Sequence, residues 1–124
     1  MIATDTSSLV AYLSGESGAD VEAIHAAVDG GRLTLPGVVV TEMLSYPKIG
    51  PTIEALLATV PRLGVSDGYW ERAGEARRKV LAHGFKARIT DALIAQACID
   101  HNLKLIARDK DFRHFAKHCG LILA

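Results

Sequence analysis

The chain has 124 residues, 49% of them apolar and four of them proline, which fits one packed domain over residues 1–124 and excludes a disordered or fibrous chain. No stretch approaches the roughly 20 apolar residues that a bilayer span needs, and no basic segment leads into an apolar run at the start, so a soluble, unexported, cytoplasmic protein is expected. The formal net charge of zero argues against a nucleic-acid partner until it is divided: residues 1–61 carry two Lys/Arg against seven acids, and residues 62–124 carry twelve against seven.

Ile2 to Asp5 reads as a short strand that runs through the polar Thr6-Ser7-Ser8 into a helix marked by Leu9, Val10 and Leu13. Val21, Ile24 and Val28 mark a second helix, stopped by Gly30-Gly31. Leu33-Thr34-Leu35 is then a buried strand closed by Pro36. Val39, Val40, Met43 and Leu44 form one apolar helical face ahead of Pro47. Gly50-Pro51 opens another helix with Ile53, Leu56, Leu57 and Val60, and the two read as a helical hairpin. Arg62 to Val65 is a candidate third strand. The segment from Tyr69 to Ala82 is helical, with Trp70, Ala73 and Val80 inward and Gly84 ending it. Ile89 to His101 is the most strongly patterned helix and places Cys98 in its interior. It leads to the strand Leu103–Ile106, a short helix with Phe112 and Phe115, and the strand Leu121–Leu123. Trp70 and the phenylalanines are expected in the core. Two cysteines are too few for a disulfide framework.

Five strands alternating with helices predict an α/β fold, a three-layer α/β/α sandwich on a mainly parallel sheet, because parallel strands need long crossovers. Ligands of such sheets bind beyond the carboxyl ends of the strands. Asp5 closes the first strand and Asp109 follows the fourth, Asp91 stands in the first turn of the helix before the fourth, and Glu42 interrupts an apolar helical face. Taken singly, Asp5, Asp91 and Asp109 are equally readable as helix caps or dipole partners, and Glu42 as a surface residue. Taken together, clustered carboxylates repel one another unless cations neutralise them, and oxygen-only ligands select hard ions such as Mg²⁺ or Mn²⁺.

Four segments, Ile2-Ala3-Thr4-Asp5-Thr6-Ser7, Val38–Met43, Thr90-Asp91-Ala92-Leu93-Ile94-Ala95 and Ala107-Arg108-Asp109-Lys110-Asp111-Phe112, resemble the PIN-domain family in the same order along the chain. The likeness runs from residue 2 to about residue 123 and leans toward VapC-type toxins of bacterial toxin–antitoxin pairs. That resemblance implies strand order 3-2-1-4-5 and a Mg²⁺- or Mn²⁺-dependent endoribonuclease that forms homodimers and is inhibited by a cognate antitoxin. The family's acids fall on Asp5, Glu42, Asp91 and Asp109. Asp111 matches a less constant fifth acid, and Ser7 a supporting polar position. Ala107 stands where the family often has threonine or serine, which puts the support of the site in question. By the same analogy, Glu16–Val28 and the helical pair Val39–Val60 are surfaces for a dimer partner or antitoxin.

Arg88, Arg108 and Lys110, near the acids in sequence, are the candidate phosphate contacts. His114 and His118 stand four apart beside Cys119, a spacing that can bind zinc, but no partner motif accompanies them. A phosphorylation-controlled receiver module shares the plan, yet it needs paired acids after the first strand, where this chain offers Asp5 alone. The reading that competes with the nuclease is a catalytically silent PIN-like module that binds RNA or a protein partner.

Overall fold

The computed structural model describes all 124 residues. The elements in chain order are β1 (Ile2–Thr4), α1 (Thr6–Leu13), α2 (Ala19–Asp29), β2 (Leu33–Pro36), α3 (Gly37–Leu44), α4 (Pro51–Thr59), β3 (Arg62–Leu63), α5 (Tyr69–Ala82), α6 (Ile89–Asp100), β4 (Lys104–Ile106), α7 (Phe112–Cys119) and β5 (Ile122–Leu123). The five strands form one sheet in the order β3-β2-β1-β4-β5, and every neighbouring pair is parallel. This is the expected order, with no antiparallel edge.

Leu105 and Ile106, adjacent in β4, fall into different apolar clusters because successive side chains leave a strand on opposite faces. Ile106 joins Leu33, Ile24 and Ala27 under α2. Leu105 joins Ala3, Val39, Met43, Val80, Ile94, Phe112 and Phe115 in the larger cluster, which α3, α5, α6 and α7 supply. Helices therefore cover both faces. The chain builds outward from β1 to β2 and β3, then crosses back to lay β4 on the other side of β1. This reversal opens a crevice at the carboxyl ends of β1 and β4.

Three expectations about the core need correction. Trp70 is 63% exposed, because the buried stripe of α5 is Tyr69, Ala73, Ala76 and Val80, and a residue one position along a helix is turned about 100° away. Gly68, in the left-handed conformation at φ 83°, sets where this helix starts, and the Tyr69 hydroxyl donates to the Leu93 carbonyl at 2.6 Å. Phe85 lies beyond the end of α5 and is also exposed, stacked on the His114 ring with centroids 4.0 Å apart. Leu44, the last residue of α3, is exposed while Val39, Val40 and Met43 pack inward. Cys98 is fully buried, as expected, and burial pushes its thiol up to about 12.

Candidate metal centre

Asp5 leaves β1 in extended backbone (φ −80°, ψ 172°) and starts α1 as its N-cap. Its Oδ1 accepts the Ser8 backbone N–H at 2.9 Å, and its Oδ2 accepts the Ser7 hydroxyl at 2.9 Å. Capping and site-building are thus one placement, since the helix that needs the cap begins where β1 ends. Asp5 is 1% exposed. Burial pushes its carboxyl above the usual value, against the pull of hydrogen bonds from Ser8 and Ser7.

Asp109 leaves β4 in the same direction, and its Oδ1 accepts the Asp111 N–H at 2.9 Å, ordering the turn into α7. Asp91 sits in the first turn of α6 and is 4% exposed. Burial raises its carboxyl too. Arg88 pulls it back down, and repulsion from Asp109 and Asp111 adds to the rise. Glu42 comes from α3, the helix after β2, and its Oε1 accepts the Thr6 hydroxyl at 2.7 Å.

Asp5, Glu42, Asp91 and Asp109 line one cavity of about 310 Å³, together with Thr6, Ser7, Arg88 and Thr90. Asp111 does not line it, but Asp91, Asp109 and Asp111 each offer an oxygen that lies within 4.8 Å of the other two. Four elements of distant sequence therefore bring their acids to the crevice that the strand order creates. Arg88 reaches across it: Nε donates to Asp91 Oδ2 at 3.3 Å and Nη2 to Asp109 Oδ2 at 2.7 Å.

Arg108, considered as a phosphate contact, points elsewhere. Its guanidinium pairs with Asp20 at 2.9 Å and Glu16 at 3.1 Å and donates to the Ser17 carbonyl at 3.0 Å. It fastens the loop between α1 and α2 to the end of β4 and does not line the cavity. Lys110 is exposed and makes no ion pair. His118 stacks on His83 with centroids 3.8 Å apart, its buried Nε2 without a hydrogen-bond partner, and Cys119 donates to the Ala76 carbonyl of α5. Sequence reasoning did not single out Thr6 as the residue that orients Glu42. Its one sign was a hydroxyl directly after the strand-ending acid.

The donor set suits a hard divalent cation. It is carboxylate oxygen throughout, two members are buried with raised pKa, and one guanidinium is the only cationic side chain lining the cavity.

A wholly parallel sheet with carboxylates gathered at its reversal point defines an α/β domain with an acidic cleft. The PIN domain family matches residues 2–118, and the chain belongs to that family. Among solved structures, the chain is similar to VapBC2 from Rickettsia felis bound to a DNA fragment from its promoter (TM-score 0.75, 19% identity, 100% of this chain and 98% of that chain covered). It is also similar to FitAcB from Neisseria gonorrhoeae (TM-score 0.70, 17% identity, 100% and 97% covered) and to FitAB bound to an IR36 DNA fragment (TM-score 0.69, 16% identity, 100% and 94% covered). No curated protein sequence gives a significant match.

Proposed function

We propose that the protein is a metal-dependent endoribonuclease and the toxin of a toxin–antitoxin pair. The observation that carries this reading is the convergence of Asp5, Glu42, Asp91 and Asp109 on one cleft at the carboxyl ends of β1 and β4. Mg²⁺ or Mn²⁺ held by these four acids, with Asp111 beside them, would supply charge neutralisation, polarisation of a phosphoryl oxygen and an acidified water.

The protein's part is positioning. Ser8 and Ser7 fix both oxygens of Asp5, Thr6 fixes one oxygen of Glu42, and the Asp111 N–H fixes one oxygen of Asp109, so little carboxylate motion remains to be frozen when substrate arrives. Four carboxylates alone would repel a phosphodiester, so RNA binding would need their charge neutralised. Arg88 in the cleft and the unpaired Lys110 on its β4 side are the proposed phosphate contacts. Ala107, before Arg108, offers the site no hydroxyl, whereas the Thr6 hydroxyl just beyond the end of β1 supports Glu42.

The toxin assignment rests on the family, on the resemblance of the four acidic segments to VapC-type toxins, and on the likeness to VapBC2 and FitAB. It carries a cognate antitoxin and a homodimer with it as partners, and a cytoplasmic location. No helix is long and apolar enough to cross a membrane.

The test is incubation of the purified protein with a mixed RNA pool in Mg²⁺, in Mn²⁺ and in EDTA, followed by end-group analysis. Cutting is expected with either metal, leaving 5′-phosphate and 3′-hydroxyl ends, and none in EDTA. Cutting that persists in EDTA, or 2′,3′-cyclic ends, would overturn the metal mechanism. RNA binding without cutting in either metal would leave the silent module as the function.

A further inference from the structure

We propose that Arg88 is an internal counterion of the acidic centre, competing with the divalent cation for the same carboxylate oxygens and turning to the substrate phosphate once displaced. The inference rests on the reading of the cleft as a metal centre.

The geometry is specific. Arg88 precedes α6 as its N-cap in extended backbone (φ −73°, ψ 150°), three residues before Asp91 and on the rim of the cleft. One guanidinium spans two acids from separate elements, Asp91 of α6 and Asp109 after β4, and takes the Oδ2 atom of each. These two acids, with Asp111, are the ones whose oxygens cluster within 4.8 Å. Asp91 and Asp109 would hold a cation through oxygens that Arg88 already occupies, and arginine, having only donors to offer, could not share in the coordination.

The side chain is built to leave. The Arg88 side chain is 66% exposed, whereas that of Asp91 is 6% exposed. A guanidinium this open to water can swing out into solvent, while the buried Asp91 keeps its place and its negative charge for an incoming cation. Released, the guanidinium remains on the cleft rim, where its fork matches the oxygens of a phosphodiester. The residue thus exchanges one anion for another as metal and RNA enter.

The test is calorimetric titration of Mn²⁺, without RNA, into wild type, Arg88→Gln and Arg88→Lys at one ionic strength, with melting temperatures in EDTA to show that each variant is folded. Removing the charge while keeping a polar side chain is expected to tighten the Mn²⁺ Kd about tenfold in Arg88→Gln. Arg88→Lys, which keeps the charge, should stay within about threefold of wild type. A second titration with a fluorescent RNA in Mn²⁺ should show Arg88→Gln binding RNA more weakly than wild type. An Mn²⁺ Kd that is unchanged or weaker in a folded Arg88→Gln would overturn the proposal and make Arg88 a support of the site. Absence of Mn²⁺ binding in all three proteins would instead defeat the metal-centre reading on which it rests.

Discussion

At the scale of single residues, the site depends on small hydroxyl side chains as much as on its acids. Thr6 donates to Glu42 across two elements, and nothing else in the structure fixes that carboxylate. Thr6→Val keeps the shape and removes the donor, so Glu42 should wander and metal affinity should fall about tenfold, as is usual when a residue orienting a ligand is lost. Mn²⁺ titration of the folded variant reads this directly, and an unchanged affinity would show that Glu42 needs no such support. Asp5, Asp91 and Asp109 stand out in the sequence because each lies where a strand ends or a helix begins, and Glu42 because it puts a charge on an apolar helical face. Arg88 was legible as a basic residue near the acids, but its bridge was not, since a three-residue separation from Asp91 says nothing of Asp109, twenty-one residues away. Trp70 was expected inward with Ala73, three residues on, and Val80, but the buried stripe of α5 reaches Ala73 from Tyr69, four residues before it, and continues through Ala76 to Val80.

At the scale of elements, ion pairs tie together segments that the apolar pattern alone leaves free. Arg72 of α5 donates to both oxygens of Asp100 at the end of α6, at 3.0 and 2.7 Å, and Gln96 adds a third bond at 2.8 Å. The Arg72 hydrogen bonds hold the Asp100 carboxyl below its ordinary 3.8. A depressed folded-state value means that the pair's stabilisation is fully present above 3.8 and is lost as pH falls through the lower folded value. Asp100→Asn should therefore melt several degrees below wild type at pH 7, a gap that closes under acid as wild-type Asp100 becomes protonated. Melting curves from pH 7 down to the acid limit check this, and a gap independent of pH would assign the loss to packing instead. Arg108 does for α2 what Arg72 does for α6, joining the acidic first half of the chain to the basic second half through Asp20 and Glu16. The sequence displayed that charge division plainly. Half of its meaning was internal, because some of the surplus cations neutralise acids of the same chain and are not available to a nucleic acid.

At the scale of the whole molecule, the order 3-2-1-4-5 is what turns four separated acids into a site. The reversal beside β1 places the ends of β1 and β4 side by side, α3 leans Glu42 in from the β2 side, and α6 begins just beneath the crevice with Asp91. Alternating strands and helices in the sequence announced a parallel sheet, but periodicity does not choose among strand orders. The order came from the resemblance of the acidic segments to a known family. The structure returns the same order, with Asp5 N–H donating to the Ile106 carbonyl at 3.0 Å to extend the central pairing to the site itself. The same fold carries exposed apolar side chains at Trp70, Leu81 and Ile89 around a second groove on α5 and α6 that none of the four acids lines. The measurement that bears most directly on the central claim is cleavage of one RNA pool in Mn²⁺ by wild type, Asp5→Asn and Asp91→Asn, with the fold of each verified by its melting curve. Cutting by wild type and a loss of at least about a hundredfold in both folded variants is the expected result. Equal cutting by wild type and either variant would contradict it, because the nuclease would then lie somewhere other than this cleft.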